Sequence, residues 1–291
     1  MDENARSDSK FSQSQAQLAS DVVHRSVDPV LEYLDPDHER PACVLACEEL
    51  KLSFGTKTVL SDINMTFRRG TITALIGPTG SGKSTFLRTI DRMNDRVVGF
   101  KHEGDIKLDS HSIWSPQLDL LTLRRRIAMV FQRPNPFPMS IKDNVVSGPR
   151  AHRIAEGKQL DVVAQQRLRE VGLWDAVKDR LDESPFRLSG GQQQLMCLAR
   201  ALAVGPEVIL LDEPTSALDP TYIESIEALM RQMTPAITLI LVTHNLGQAR
   251  RVSDTTMFFY EGRLVEHGDT EQIFEHPRET DTERYVTGRM G

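Results

Sequence analysis

The chain contains three cysteines, Cys43, Cys47 and Cys197, in 291 residues. That number is small and odd, so a disulfide framework is excluded and a reduced setting is expected. Cys43 and Cys47 are followed by no second Cys or His pair of the kind a zinc site needs. The sequence has no run of 18 consecutive apolar residues and no apolar segment flanked by basic residues at its start, so it predicts a soluble chain that forms no pore by itself. Internal repeats are missing. So is any basic excess: of a formal net charge of −6, nine acidic against four basic residues fall in Met1 to Arg40, which leaves the remainder nearly neutral. A nearly neutral domain offers nucleic acid no electrostatic footprint. Residues 1–41 are polar and rich in Ser, Gln and Asp; they read as a mostly disordered extension with at most a short amphipathic turn between Val22 and Leu34. Residues 42–291, in a chain that is 39% apolar, read as one domain with one large core.

Against these absences stands Gly77-Pro78-Thr79-Gly80-Ser81-Gly82-Lys83-Ser84-Thr85, which fits the phosphate-loop pattern G-x-x-x-x-G-K-[ST] without a mismatch. Glycines let backbone N–H groups turn inward on anionic oxygens, and the following helix adds its positive end. Lys83 can reach β- and γ-phosphates, and the Ser84 hydroxyl can ligate Mg²⁺. Thr71 to Ile76 is apolar and β-branched enough for a buried strand before the loop, and Ser84 to Ile90 continues as a helix.

Val208-Ile-Leu-Leu211 ends in Asp212 and Glu213, two carboxylates at the C-terminal edge of a buried strand, where doubly wound folds bind ligands. Asp212 is placed for Mg²⁺, while Glu213, one residue on, points elsewhere and can orient or deprotonate an attacking water. Ile237 to Val242 is a third such strand and delivers His244 to the same edge. Gln132 follows the apolar Val130-Phe131. Ser189-Gly190-Gly191 reads as a backbone nest before a helix opened by Gln192 and running to Leu202, a second helix end suited to phosphate. Phe54, in the β-rich early part, is the candidate to stack on a base.

Taken in order, these segments resemble the ATP-binding cassette of ABC transporters: Gly77 to Thr85 as Walker A, Gln132 as Q-loop, Leu188 to Gln192 as signature, Val208 to Glu213 as Walker B, Ser216 to Asp219 as D-loop and His244 as switch histidine. The resemblance spans roughly Cys47 to Gly288. It implies an α/β P-loop NTPase with a RecA-like parallel core, an N-terminal antiparallel β-subdomain (about 45–76) and a helical lobe (about 133–188) inserted in the core. It implies ATP and Mg²⁺ as ligands, with Ser84, Gln132 and Asp212 toward the metal and Asp219 at the nucleotide interface. It also implies a head-to-tail dimer in which the signature of one copy completes the Walker A site of the other. Family members commonly have tyrosine where Phe54 stands.

A narrower resemblance lies between the motifs. Arg88 to Asp95, Phe131-Gln-Arg-Pro-Asn-Pro-Phe-Pro138, Leu173 to Asp179, the glutamines 192 to 194 and the tail from Gln248 to Tyr285 are similar to the ATPase subunit of bacterial high-affinity phosphate importers. This implies two integral membrane permease subunits, an extracytoplasmic phosphate-binding protein acting through them, and a location on the cytoplasmic face of the plasma membrane. A motor for another solute, such as polar amino acids, or a soluble ABC ATPase are the alternatives. Leu195 departs from the subfamily, which usually has arginine there.

Overall fold

A computed structural model describes residues 42–290; the acidic extension and its proposed turn lie outside them. The described chain forms two compact units. The first comprises the segments up to Arg133 and from Pro206 onward, and the second is Pro134–Gly205.

The first unit holds two sheets. Strands β1 (Cys43–Phe54), β2 (Lys57–Arg68), β4 (Phe100–Leu108) and β5 (His111–Ser112) form an antiparallel sheet in the order β2-β1-β4-β5. Strands β3 (Ile72–Ile76), β6 (Ile127–Val130), β7 (Val208–Asp212), β8 (Thr238–Val242), β9 (Thr255–Tyr260) and β10 (Arg263–Asp269) form a six-stranded sheet in the order β10-β9-β3-β8-β7-β6. All its pairings are parallel except β9–β10. Every residue of β3, β7 and β8 is buried, as expected of central parallel strands covered on both faces.

This arrangement corrects the extent expected for the β-subdomain. Ile72–Ile76 belongs to the parallel core, and the antiparallel sheet instead gains Phe100–Leu108, which pairs with β1 from Leu45 to Phe54. β4 escapes the sequence because its first five residues are half-buried or exposed, so no apolar alternation marks it. The hairpin β9–β10 turns at Glu261 and Gly262, both at positive φ (47° and 76°), as a tight two-residue turn requires. Between the sheets, Arg69 and Arg126 share Asp109 and Glu207. Arg69 reaches Glu207 at 3.0 Å and Arg126 reaches it at 2.7 Å, and both arginines contact Asp109.

The first unit also carries helices α1 (Lys83–Ile90), α2 (Leu120–Arg126), α7 (Pro220–Met233), α8 (Leu246–Val252), α9 (Thr270–Glu275) and α10 (Thr280–Val286), and the second unit is helical: α3 (Ile141–Ala151), α4 (Lys158–Glu170), α5 (Trp174–Val177) and α6 (Gly190–Leu202). In α6 the buried side chains include Leu195, Met196 and Leu198, so an aliphatic residue at 195 lies in apolar packing, where an arginine would need a partner. Buried Asn144 accepts from the Phe137 N–H at 2.7 Å and donates to the Phe137, Met139 and Ser140 carbonyls. Arg200 donates to the Asn135 carbonyl at 3.0 Å and lies 4.3 Å over the Phe137 ring. The proline-rich segment after Gln132 is thus fixed by side chains from α3 and α6.

In the first unit, helix α1 (Lys83–Ile90) ends at Asp91, whose carboxyl is buried. Burial pushes it up to about 7 from 3.8, against the pull of the Met93 amide and of Arg124 and Arg88. A raised carboxyl binds its proton more tightly in the folded chain, so its contribution to stability falls as pH rises between the two values. The stability advantage of Asp91→Asn over wild type, measured by denaturant unfolding, should therefore grow from about pH 4 to about pH 7, reach on the order of 1 kcal/mol or more, and then level off.

Candidate functional site

The phosphate loop connects β3 to α1 at the C-terminal edge of the parallel sheet. Two of its glycines are required by contact. At Gly77 (φ +143°) a Cβ would lie 2.0 Å from the Phe259 carbonyl oxygen, and at Gly82 (φ +102°) it would lie 2.4 Å from Leu60 Cδ2. The loop is wedged between the β9 strand and the β2 strand, so its path is set by backbone that admits no side chain. Gly82 is the residue before α1, whose first amides face the concavity.

Lys83 is buried and folds back over the loop. Its ammonium donates to the Gly77 carbonyl at 2.7 Å, the Pro78 carbonyl at 2.8 Å and the Ser81 hydroxyl at 3.3 Å. Burial lowers its pKa, opposed by the charges of Glu213 and Asp212. The lysine therefore braces the loop from within, and a phosphate oxygen would take over one of these contacts. Thr79, Gly80 and Thr85 complete the loop, and at Gly80 nothing lies within 4 Å of a Cβ position.

Asp212 and Glu213 end β7 with opposite surroundings. Asp212 is 3% exposed; its Oδ1 accepts from Ser84 Oγ at 2.7 Å and its Oδ2 accepts from Arg88 at 3.1 Å. A buried carboxylate against a hydroxyl is a hard oxygen pair of the type Mg²⁺ takes, so these two residues fit the metal expected of them. Glu213 sits at φ +46°, a left-handed conformation rare for a residue with a side chain, and its N–H donates to the Val242 carbonyl at 2.9 Å. Its Oε2 receives two contacts, Gln132 Nε2 at 2.9 Å and His244 Nδ1 at 2.9 Å. Facing a carboxylate oxygen, Nδ1 is the donor of this pair. Both contacts fall on Oε2 and none on Oε1. The structure thus brings Gln132, Glu213 and His244 into one cluster and Ser84, Arg88 and Asp212 into another, one residue apart on the chain.

The remaining candidates lie elsewhere. Phe54 ends β1 and is half-buried; its ring meets Phe100, its cross-strand partner, with centroids 5.5 Å apart. Asp219 accepts from the Tyr222 N–H at 3.4 Å and so caps α7 (Pro220–Met233). Ser189 and Gln192 belong to the helical unit. The sequence reading starts this helix at Gln192, but it starts at Gly190: Ser189 is the N-cap, and Gln192 closes a capping box with it at 3.3 and 3.2 Å. Sequence reasoning missed Arg88. Its signal was present, since Ser84 and Arg88 are four apart on one helix and both face Asp212.

A phosphate loop leading into a helix, a carboxylate beside its serine and a second carboxylate held by Gln132 and His244 define a P-loop nucleoside triphosphatase on a parallel α/β sheet. The comparisons refine that class. The profile of the ABC transporter family matches residues 60–216. The chain is 58% identical over 257 residues, 88% of its length and 92% of the relative's, to Phosphate import ATP-binding protein PstB 2 of Mycobacterium tuberculosis. It is 60% identical over 81% of its length, and 83% of the relative's, to Phosphate import ATP-binding protein PstB of Mycobacterium intracellulare. The solved structure of cbiO1 from Clostridium perfringens, part of the ABC transporter complex cbiONQ, superposes with a TM-score of 0.70 at 28% identity, covering 81% of this chain and 92% of that one. The chain belongs to the ABC transporter ATP-binding family.

Lys83→Met tests the bracing role of the lysine. Losing a charge-assisted contact to phosphate should weaken nucleotide binding by at least about tenfold. Amide exchange in residues 77–82 should rise in the nucleotide-free variant, because the Gly77 and Pro78 carbonyls lose their donor.

Proposed function

We propose that this chain is the ATP-hydrolysing motor subunit of an importer of inorganic phosphate. The observation that carries the reading is identity of 58% over 88% of the chain to a phosphate import ATP-binding protein, supported by the contacts of Ser84 with Asp212 and of Gln132 and His244 with Glu213. ATP would enter with its adenine against Phe54 and its β- and γ-phosphates in the loop Gly77 to Thr85, neutralised by Lys83. Ser84 and Asp212 would hold Mg²⁺, whereas Gln132, also expected toward the metal, contacts Glu213. When bound, the metal supplies positive charge to the phosphate oxygens.

Hydrolysis needs a water aligned with the γ-phosphorus. Glu213 would accept its proton through Oε1 while Gln132 and His244 hold Oε2. The water oxygen bonds to phosphorus, the bond to the bridging oxygen of ADP breaks, and Lys83 stabilises the charge left there. No helix among the described residues is long and apolar enough to cross a membrane, so transport needs separate permease subunits, and work on them requires motion. We attribute the motion to a head-to-tail dimer in which Ser189, Gly190, Gly191 and Gln192 of one copy meet the γ-phosphate bound by the other, with Asp219 at the same interface. The permease contact falls to the fixed segment after Gln132, where Phe137 and Met139 are each 40% exposed. The motor would then lie on the cytoplasmic face of the plasma membrane.

Two measurements test the reading. Glu213→Gln should bind ATP as wild type does, lose hydrolysis by about 10²–10⁴-fold as removal of a general base does, and run as a dimer on size exclusion only with ATP; a monomer under those conditions sinks the sandwich. In vesicles holding the permease subunits, hydrolysis should rise with phosphate and its binding protein. A rise with glutamine instead would reassign the solute.

A further inference from the structure

The segments that carry Glu213 and His244 meet a second time, through buried side chains. Beyond Glu213 the chain folds into two overlapping turns, with the Ser216 N–H on the Glu213 carbonyl and the Leu218 N–H on the Thr215 carbonyl, both at 3.2 Å. Thr215, inside these turns, is buried. Beyond His244, Asn245 caps helix α8 by accepting from the Gln248 N–H at 3.0 Å, and the Gln248 side chain is fully buried. The two buried groups pair. Gln248 Nε2 donates to Thr215 Oγ1 at 2.9 Å, and the Thr215 hydroxyl donates back to Gln248 Oε1 at 3.3 Å.

The other proton of the amide goes to Glu227 Oε1 at 3.3 Å. Glu227 is 5% exposed and belongs to α7, the helix that Asp219 caps; Arg251 of α8 reaches its two oxygens at 2.7 and 3.0 Å. Polar groups at this depth are costly unless paired, so the network specifies the spacing of the segments it joins. The contact at the site has no such support. The His244 side chain is 61% exposed where it reaches Glu213 Oε2 at 2.9 Å. An imidazole so exposed gains little from packing, and its place beside Glu213 is set by where the two segments run.

We infer that Thr215 and Gln248 are positioning residues of the hydrolytic site, whose contact ties the segment after Glu213 to the helix after His244 and so sets how the histidine meets the base. Thr215 lies two residues beyond Glu213 and Gln248 four beyond His244, so a shift at the buried pair is passed to the exposed one. Misplacements near 1 Å cost up to about 10²-fold in rate. The inference rests on the reading of the chain as an ATPase with Glu213 as its base.

The test is a double-mutant cycle in the full chain, reading kcat, the Kd for ATP and the thermal midpoint. Thr215→Val removes the hydroxyl and keeps the shape, Thr215→Ser keeps the hydroxyl, and each is measured alone and combined with His244→Ala. Thr215→Val should lower kcat about tenfold, the scale of one lost hydrogen bond, with a Kd for ATP within about twofold of wild type. Thr215→Ser should restore kcat to within about twofold of wild type, because the donor returns. On top of His244→Ala, Thr215→Val should cost less than about twofold in the residual kcat, because the group it positions is gone. A purely structural contact would lower the midpoint and add its full loss in both backgrounds. That result, a wild-type kcat in Thr215→Val, or a wild-type kcat in His244→Ala would each overturn the inference. Gln248→Met, which keeps the length of the side chain and lacks the amide, runs through the same cycle and decides the matter should Thr215→Val fail to fold. Glu213→Gln is the control: if it hydrolyses ATP as wild type does, the ATPase reading itself fails, whatever the cycle shows.

Discussion

A backbone can bind phosphate only where nothing projects between its amides and the anion, and the loop at Gly77–Gly82 meets that condition by being wedged. The Phe259 carbonyl lies where a side chain at Gly77 would begin, and the Leu60 side chain lies where one at Gly82 would begin. Both sheets of the first unit therefore act on the same loop: β9 of the parallel sheet closes one end and β2 of the antiparallel sheet closes the other. The antiparallel sheet is thus more than a platform for Phe54. Any slip of β2 would carry Leu60 into or away from the loop. The shared ion pairs of Arg69 and Arg126 with Asp109 and Glu207, which join chain segments from both sheets, resist that slip.

A second constraint is electrostatic. Two carboxylates one residue apart would repel each other and compete for the same cation if they shared surroundings. Asp212 is the last residue of the strand, while Glu213 follows it in a left-handed conformation, and the two side chains meet different partners. Asp212 is met by Ser84 and Arg88 from α1. Glu213 is met by Gln132 and His244, which follow β6 and β8, the strands on either side of β7. One carboxylate is thereby committed to the loop serine and the other kept with a free oxygen. The left-handed backbone at Glu213 carries a conformational cost that the Val242 carbonyl helps offset, and such strain persists where the surroundings over-determine it.

Much of this was legible in the sequence because burial leaves a compositional trace. Strands β3, β7 and β8 are covered on both faces, read as unbroken apolar runs, and end at the residues that do chemistry. The β4 strand leaves no such trace, being polar and largely exposed, and β3 directly follows two antiparallel strands in the chain, a position that masks its membership of the parallel core. Helix α6 was read as starting at Gln192, since a glutamine after two glycines suggests a beginning; a side chain three residues inside that returns to the N-cap is visible only once the cap conformation is known. The stack of Tyr285 on Phe258 leaves no trace either, since no spacing rule links a residue near the end of the chain to strand β9.

The capping box also decides what the signature helix can offer an anion. The Ser189 oxygen uses a lone pair to accept from the Gln192 amide, and the Gln192 carbonyl oxygen accepts from the Ser189 amide. Inside a helix the first amides have no carbonyl one turn earlier, so the N–H groups of Gly190 and Gly191 lie outside the intrahelical ladder. At Gly190 nothing lies within 4 Å of where a Cβ would stand. Capping therefore fixes this helix end without spending the first helical amides: Gly190 leaves the space beside them open, and Gln192 keeps the N-cap serine in place.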